Sequence, residues 1–239
     1  MMTFNEKNIR LEKLLEAAGT LFARWGFDKT TVEDIAREAN ISKGAVYLEF
    51  KGKDALFRAV VYRELARYIE DWLCRFEAEP EEWSFAGMFR HSVAAIHANP
   101  FVKGLVTRDR RLYGDFLKRD STLASMAISM REELFGMLQR SGLVRDDISH
   151  KTLAYLWTLM GYGLVAGDDI ISEENRVSFD DALSAFALLL DRGLSPLSLS
   201  PRGDDAKEFF VRLMEKIRVS LWNGALPRER GGRRCDDDF

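Results

Sequence analysis

Residues 30–53, TTVEDIAREANISKGAVYLEFKGK, hold two short helical patterns separated by a turn of four residues, and this spacing constrains the chain more than any other feature. Thr30 with Glu33, and Thr31 with Asp34, each set a hydroxyl three residues ahead of a carboxylate, so either Thr can cap the first helix. Val32, Ile35, Ala36 and Ala39 recur at helical offsets as one buried stripe, which leaves Glu33, Asp34, Arg37 and Glu38 outside. Asn40 enters left-handed backbone conformations more readily than most residues, so it can stop the helix and turn Ile41 inward. Ser42 then caps a second helix. Its opening residues, Lys43, Gly44 and Ala45, are small enough, or long and cationic enough, to approach phosphates and base edges. Tyr47 and Leu48 fall on the outer side of that helix, and Val46 and Phe50 on the inner side.

This is the layout of a helix-turn-helix DNA reader, although packed helix pairs that never touch DNA share the geometry. The whole chain carries a net charge of −3, but Lys43, Lys51, Lys53 and Arg58 outnumber Glu49 and Asp54 locally, which is permissive for a cationic face. Over about residues 9 to 57 the chain resembles the tetracycline-repressor-like (TetR) family of bacterial transcription factors. The resemblance runs through Leu14-Leu15-Glu16-Ala17-Ala18, Leu21-Phe22, Gly26-Phe27, Thr30-Thr31-Val32, Asp34-Ile35-Ala36, Ser42-Lys43-Gly44, Tyr47, Phe50, Lys53 and Leu56-Phe57. It implies a three-helix N-terminal DNA-binding domain, with residues 31–41 as supporting helix and turn and 42–50 as recognition helix. It also implies DNA contacts at Thr31, Ser42, Lys43, Gly44, Ala45, Tyr47 and Lys53. Two positions depart from the family pattern: Asn40 stands where Gly is usual, and Glu49 where His or another neutral residue is common. A carboxylate at 49 would be repelled by DNA unless Lys51 or Lys53 paired with it, so no contact is assigned there.

With 239 residues and 46% hydrophobic content, the chain can bury a core well beyond residue 57. No run of about 18 uncharged apolar residues occurs and the N-terminus lacks a cleavable apolar segment, so a cytoplasmic protein without membrane contact is expected. Cys74 and Cys235 are isolated, which argues against a disulfide framework or a zinc site; Cys74 is expected to pack within a helix and Cys235 to lie in a tail. His91, His97 and His150 do not make a metal set, and no cofactor is implied. Helical patterns cover 54–76, about 84–98, 101–118, 121–141, 149–168, 178–193 and 204–223. Between them lie Pro80 with the acidic 77–82 stretch, Pro100, Gly142, residues 167–175 and a 195–203 linker, and no segment alternates as a strand. The expected fold is all-α: a helix-turn-helix domain at 1–57, a larger helical ligand-binding and dimerisation domain at 58–224, and a disordered tail at 225–239.

The family's last two helices pair between subunits, and 149–168 and 178–193 are the candidates here. The first offers Leu153, Leu156, Trp157, Met160 and Leu164 beside Gly161, Gly163 and Gly167; the second offers Leu183, Phe186, Ala187 and Leu190. These faces suit the subunit's own core equally well. A homodimer is expected because one recognition helix reads too few base pairs for useful specificity. The helix at 204–223, with Phe209, Phe210, Leu213, Met214, Ile217 and Leu221, could brace the dimer or cap the pocket, and packing on its own subunit is the expectation. Phe89, Phe116, Met126, Met130 and Tyr155, together with Met88 and Met160, could line an apolar effector cavity, and Arg108, Arg110 and Arg111 are either anion contacts or a solvated face. The glycines of 161–167 superficially resemble a dinucleotide-binding turn, but the apolar residues before them keep helical period, so an enzyme is not expected. The reading is a ligand-responsive regulator, a repressor released from a palindromic operator by a small-molecule effector. The alternative is a helical protein-binding adaptor, which leaves Ser42-Lys43-Gly44, Tyr47 and Lys53 unexplained.

Overall fold

A computed structural model of the chain describes residues 4–79, 83–120, 122–194 and 203–226. Every regular element among them is helical, which is the all-α fold expected from the sequence. The order is α1 (Phe4–Lys29), α2 (Val32–Glu38), α3 (Lys43–Glu49), α4 (Lys53–Ala78), α5 (Phe85–Ala98), α6 (Pro100–Thr107), α7 (Arg110–Tyr113) and α8 (Phe116–Arg119). There follow α9 (Thr122–Arg140), α10 (His150–Val165), α11 (Gly167–Ile170), a 3-10 turn at Glu173–Asn175, α12 (Phe179–Leu194) and α13 (Gly203–Ala225). Cys235, most of the 225–239 tail and most of the 195–203 linker lie outside the described residues, as does Pro80.

The single helix expected over 101–118 is three short ones. Arg108 adopts a left-handed conformation (φ 54°) that ends α6, and Gly114 (φ 52°) ends α7. Likewise the pattern over 149–168 stops at Val165, where α10 gives way to the short α11. α10 runs unbroken through Gly161 and Gly163, so those glycines lie inside a helix and not on a strand-to-helix turn.

Helix α4 is the spine. Leu56, Phe57, Val60 and Val61 at its start belong to one buried cluster with Leu14, Phe22, Ile35, Val46 and Phe50. Tyr68, Ile69, Trp72, Leu73 and Phe76 farther along belong to a second, with Phe85, Phe89, Phe135, Leu153 and Trp157. Cys74 lies on the exposed side of α4 and not in packing, because the buried stripe passes through its neighbours Leu73 and Phe76. Helix α13 lies along α4 in the same subunit, inserting Phe210 with its ring 5.2 Å from Trp72 and 5.5 Å from Phe76.

The segment α6–α8 is keyed into the first cluster. Gly26 breaks α1 with φ 80°, and a Cβ there would sit 1.8 Å from the Arg111 carbonyl oxygen; a Cβ on Gly114 would sit 2.3 Å from the Asp28 carboxylate. At position 26 only glycine lets the two backbones meet. Gly26→Ala is therefore expected to destabilise the fold by about 3 kcal/mol, combining left-handed strain with steric overlap, which urea unfolding followed by circular dichroism would measure.

Candidate nucleic-acid interface

Of the two possible caps for α2, the structure uses Thr31. Its hydroxyl accepts from the Asp34 N–H at 3.1 Å and donates to the Asp34 carboxylate at 2.6 Å, while its own N–H donates to that carboxylate at 3.3 Å. Thr30 is instead fully buried, and its hydroxyl donates back to the Gly26 carbonyl at 2.8 Å. Asn40 has φ 53°, as the turn demands, and Ile41 is half-buried against the first cluster. Ser42 caps α3 by accepting from the Ala45 N–H at 3.1 Å. Val46 and Phe50 are buried, which turns Lys43, Gly44, Tyr47 and Leu48 outward on one side of α3.

Thr30, Thr31, Val32, Glu33, Lys43, Tyr47 and Lys53 line one open depression of about 380 Å³ between α2, α3 and the start of α4. Its charges are partly engaged already. Lys43 lies 3.3 Å from Glu33 with both side chains largely exposed, a pairing that water screens strongly. Lys53 donates to the Phe27 carbonyl at 2.9 Å and sits 4.3 Å above the Phe27 ring, so it also closes the end of α1. Glu49 is paired, but by neither Lys51 nor Lys53: Arg10 of α1 reaches it at 2.6 Å. Position 10 is 39 residues away in sequence, which no local pattern could reveal. Leu48, 62% exposed on the outward side of α3, joins these positions although the resemblance implies no contact there; its signal in the sequence is a large apolar residue at an outward position.

The residues expected to share an effector cavity do not converge. Phe89 is fully buried in the second cluster with Trp157 at 4.9 Å, whereas Phe116 plugs the first cluster against Phe57 at 4.8 Å. Tyr155 is 64% exposed on the outer side of α10, because Leu153, Ala154 and Trp157 take the inner side. Met130 is half-buried on α9, and the Met126 side chain lies outside the described residues. Arg108, Arg110 and Arg111 are exposed, and Arg111 pairs with Asp109 at 3.3 Å, which is the solvated face. Among the named dimer candidates, Leu153, Trp157, Leu183, Ala187 and Leu190 are buried in the subunit's own core.

Residues 14–60 match the family described as "Bacterial regulatory proteins, tetR family". The chain is 31% identical over 155 residues to the HTH-type transcriptional repressor KstR2 of Rhodococcus jostii, covering 59% of this chain and 71% of that protein. It is 40% identical over 60 residues to the uncharacterized HTH-type regulator YfiR of Bacillus subtilis, where it spans 25% of this chain and only 29% of YfiR. The crystal structure of AibR in complex with isovaleryl coenzyme A and operator DNA shares the fold, with a TM-score of 0.51 at 18% identity over 75% of this chain and 97% of AibR. The capped helix pair and its left-handed turn are those of a helix-turn-helix transcriptional regulator. The chain belongs to the tetR family.

The Thr31 hydroxyl above all holds the Asp34 carboxyl below its ordinary value; burial opposes it, and the Thr31 N–H and Arg37 add to the lowering. A carboxyl lowered on folding stabilises above its unfolded value and loses that contribution as pH falls through the lowered one. Thr31→Ala is expected to return Asp34 to the ordinary carboxylate range in a carboxyl-carbon NMR titration, and removal of the cap costs about 1 kcal/mol in thermal unfolding.

Proposed function

We propose that this protein is a dimeric repressor that reads a palindromic operator through α3 and leaves it when a small-molecule effector binds the larger helical core. The observation that carries the reading is the outward set on α3, Lys43, Gly44, Tyr47 and Leu48, flanked by the capping hydroxyls of Thr31 and Ser42. In this reading Lys43, Tyr47 and Lys53 contact phosphate or base edges, Gly44 and Ala45 allow close approach, and Leu48 meets a thymine methyl in the major groove. Residues 1–57 serve as the reader and 58–224 as the effector and dimerisation part. Repression itself is named for KstR2, and a coenzyme A thioester with operator DNA for AibR; effector release from DNA is carried to this chain as part of the proposal.

Dimerisation has its own support. α10 exposes Tyr155, Leu156, Leu159 and Tyr162, and α12 exposes Leu188 and Leu189. Scattered exposed apolar residues are ordinary, but six on two helices that touch each other make a face suited to a second copy. No described helix is long and apolar enough to cross a membrane, which accords with a regulator acting on DNA in the cytoplasm.

Coupling would run through α4. Glu64, largely buried, accepts from Arg63 at 2.9 Å, Arg67 at 3.1 Å and Asn99 at 3.1 Å, and Arg67 also reaches Glu16 of α1 at 3.2 Å. Asn99 is the cap of α6, accepting from the Phe101 N–H at 3.0 Å. An effector that shifts α6 or α4 therefore pulls on α1, and so on the spacing of the two recognition helices.

Selection from a random duplex pool at near-physiological salt is expected to enrich a palindrome with the parent and not with a Lys43→Ala, Tyr47→Ala double variant; no enrichment by the effector-free parent would sink the reading. Lys43→Ala alone is expected to weaken operator binding by ~1–3 kcal/mol if it reads a base, or to flatten the salt dependence by about one unit if it holds a phosphate. Glu33→Gln frees Lys43 and is expected to tighten binding about threefold at low salt. Leu159→Glu is expected to shift the protein to monomer in sedimentation equilibrium, with loss of palindrome binding.

A further inference from the structure

Arg10 and Glu49 meet across 39 positions of sequence, the guanidinium of α1 donating from Nη2 to the carboxylate at 2.6 Å. Glu49 is the last residue of α3 and its only acid. Helical period sets it one turn beyond Ala45 and beside the outward Leu48, so it stands on the flank of the face that carries Lys43, Gly44 and Tyr47. A carboxylate is unfavourable there for two reasons. It sits at the negative end of the helix dipole, and it repels any phosphate brought to that face.

The pair differs from its neighbours in the reader. Lys43–Glu33 and Arg37–Asp34 each leave the cation more than half exposed, and water screens them. Glu49 keeps only 11% of its side chain exposed and Arg10 30%, so their attraction is screened less, and removing one partner leaves a sheltered charge uncompensated. α1 is itself fastened to α4, where Glu16 pairs with Arg63 at 3.1 Å and with Arg67 at 3.2 Å. Arg10 thus completes a line of charge pairs from α4 through α1 to the recognition helix.

We propose that Arg10 is a positioning residue of the reader that acts through Glu49: it cancels the one carboxylate of the recognition helix and holds the end of α3 against α1, so that the pair is neutral towards the phosphates of a DNA duplex. Residue 10 itself is assigned no contact with DNA. The inference rests on the reading of α3 as the DNA reader. Charge alone then orders the variants. Arg10→Gln leaves a negative charge on α3, Glu49→Gln leaves a positive charge on α1, and the two together restore a neutral pair.

Full-length parent and variants are compared by fluorescence anisotropy on the palindrome that the parent enriches, at low and at high salt, with melting temperatures from circular dichroism alongside. Arg10→Gln is expected to weaken binding about fivefold at about 50 mM salt and less than about twofold at about 300 mM, because added ions screen a repulsion between charges. Glu49→Gln is expected to tighten binding about threefold at the lower salt, and the double variant to return to within about twofold of the parent. Arg10→Lys keeps the cation and is expected to bind like the parent. A misplaced helix, by contrast, gives a loss that persists at high salt. Binding by Arg10→Gln as tight as the parent's, a loss that salt does not relieve, or a double variant as weak as Arg10→Gln each overturns the role; the last makes Arg10 a phosphate contact in its own right. Should Arg10→Gln fail to fold, Glu49→Gln decides: tighter binding at low salt supports the role, and unchanged or weaker binding overturns it. No palindrome enriched by the effector-free parent defeats the reader and the role of Arg10 together, whereas a palindrome bound equally by parent and Arg10→Gln defeats the role of Arg10 and leaves the reader standing.

Discussion

The ring of Phe57 is where the two parts of this protein become one object. Phe22 and Phe27 of α1 meet it at 4.8 and 4.9 Å, and Tyr113 of α7 and Phe116 of α8 meet it at 5.4 and 4.8 Å. Edge-to-face aromatic pairs contribute about 0.5–1.5 kcal/mol each beyond the area they bury, and they are directional. The core of the helix-turn-helix is therefore completed by side chains from 50 residues and more downstream, and the orientation of α1 is set by where α7 and α8 lie. Gly26 serves the same contact by letting the backbone of α1 close on that of Arg111.

Around that apolar joint runs a polar one. Arg58 holds the buried Asp120 and Arg119 reaches Asp54, tying the start of α4 to α8. One turn farther along, Glu64 gathers Arg63, Arg67 and Asn99, and burial pushes the Tyr113 hydroxyl up as it donates to the Phe101 carbonyl at 2.8 Å. Networks of buried charge add little net stability compared with apolar packing, but leaving one member unpaired is expensive, so they hold a single arrangement. α4 carries side chains for both cores within one unbroken helix.

The reader was legible because its determinants are local. Thr31, Asn40 and Ser42 act on backbone within three residues of themselves, and the alternation of Val46 and Phe50 with Tyr47 and Leu48 follows from helical period alone. Where two local solutions competed, at Thr30 and Thr31, the break at Gly26 settled the matter by drawing Thr30 into the core. The partner of Glu49 was not legible, since Arg10 belongs to another helix, and the engagement of Lys53 with Phe27 has the same origin. Periodicity identified Phe89 and Phe116 as inward-facing but could not say that they face different cores.

By itself, then, the sequence determined an all-helical chain, the place and phase of the helix-turn-helix, and the Ser42 cap of its second helix. These are properties of hydrogen bonds and side-chain period within a few residues. Tertiary structure decided which inward faces share a core, which charges are paired within the chain, that α13 lies along α4, and that α10 and α12 keep an apolar face outside. Each of these depends on pairs of residues tens of positions apart, whose meeting is set by how whole helices pack and by which carboxylate lies within reach of which cation.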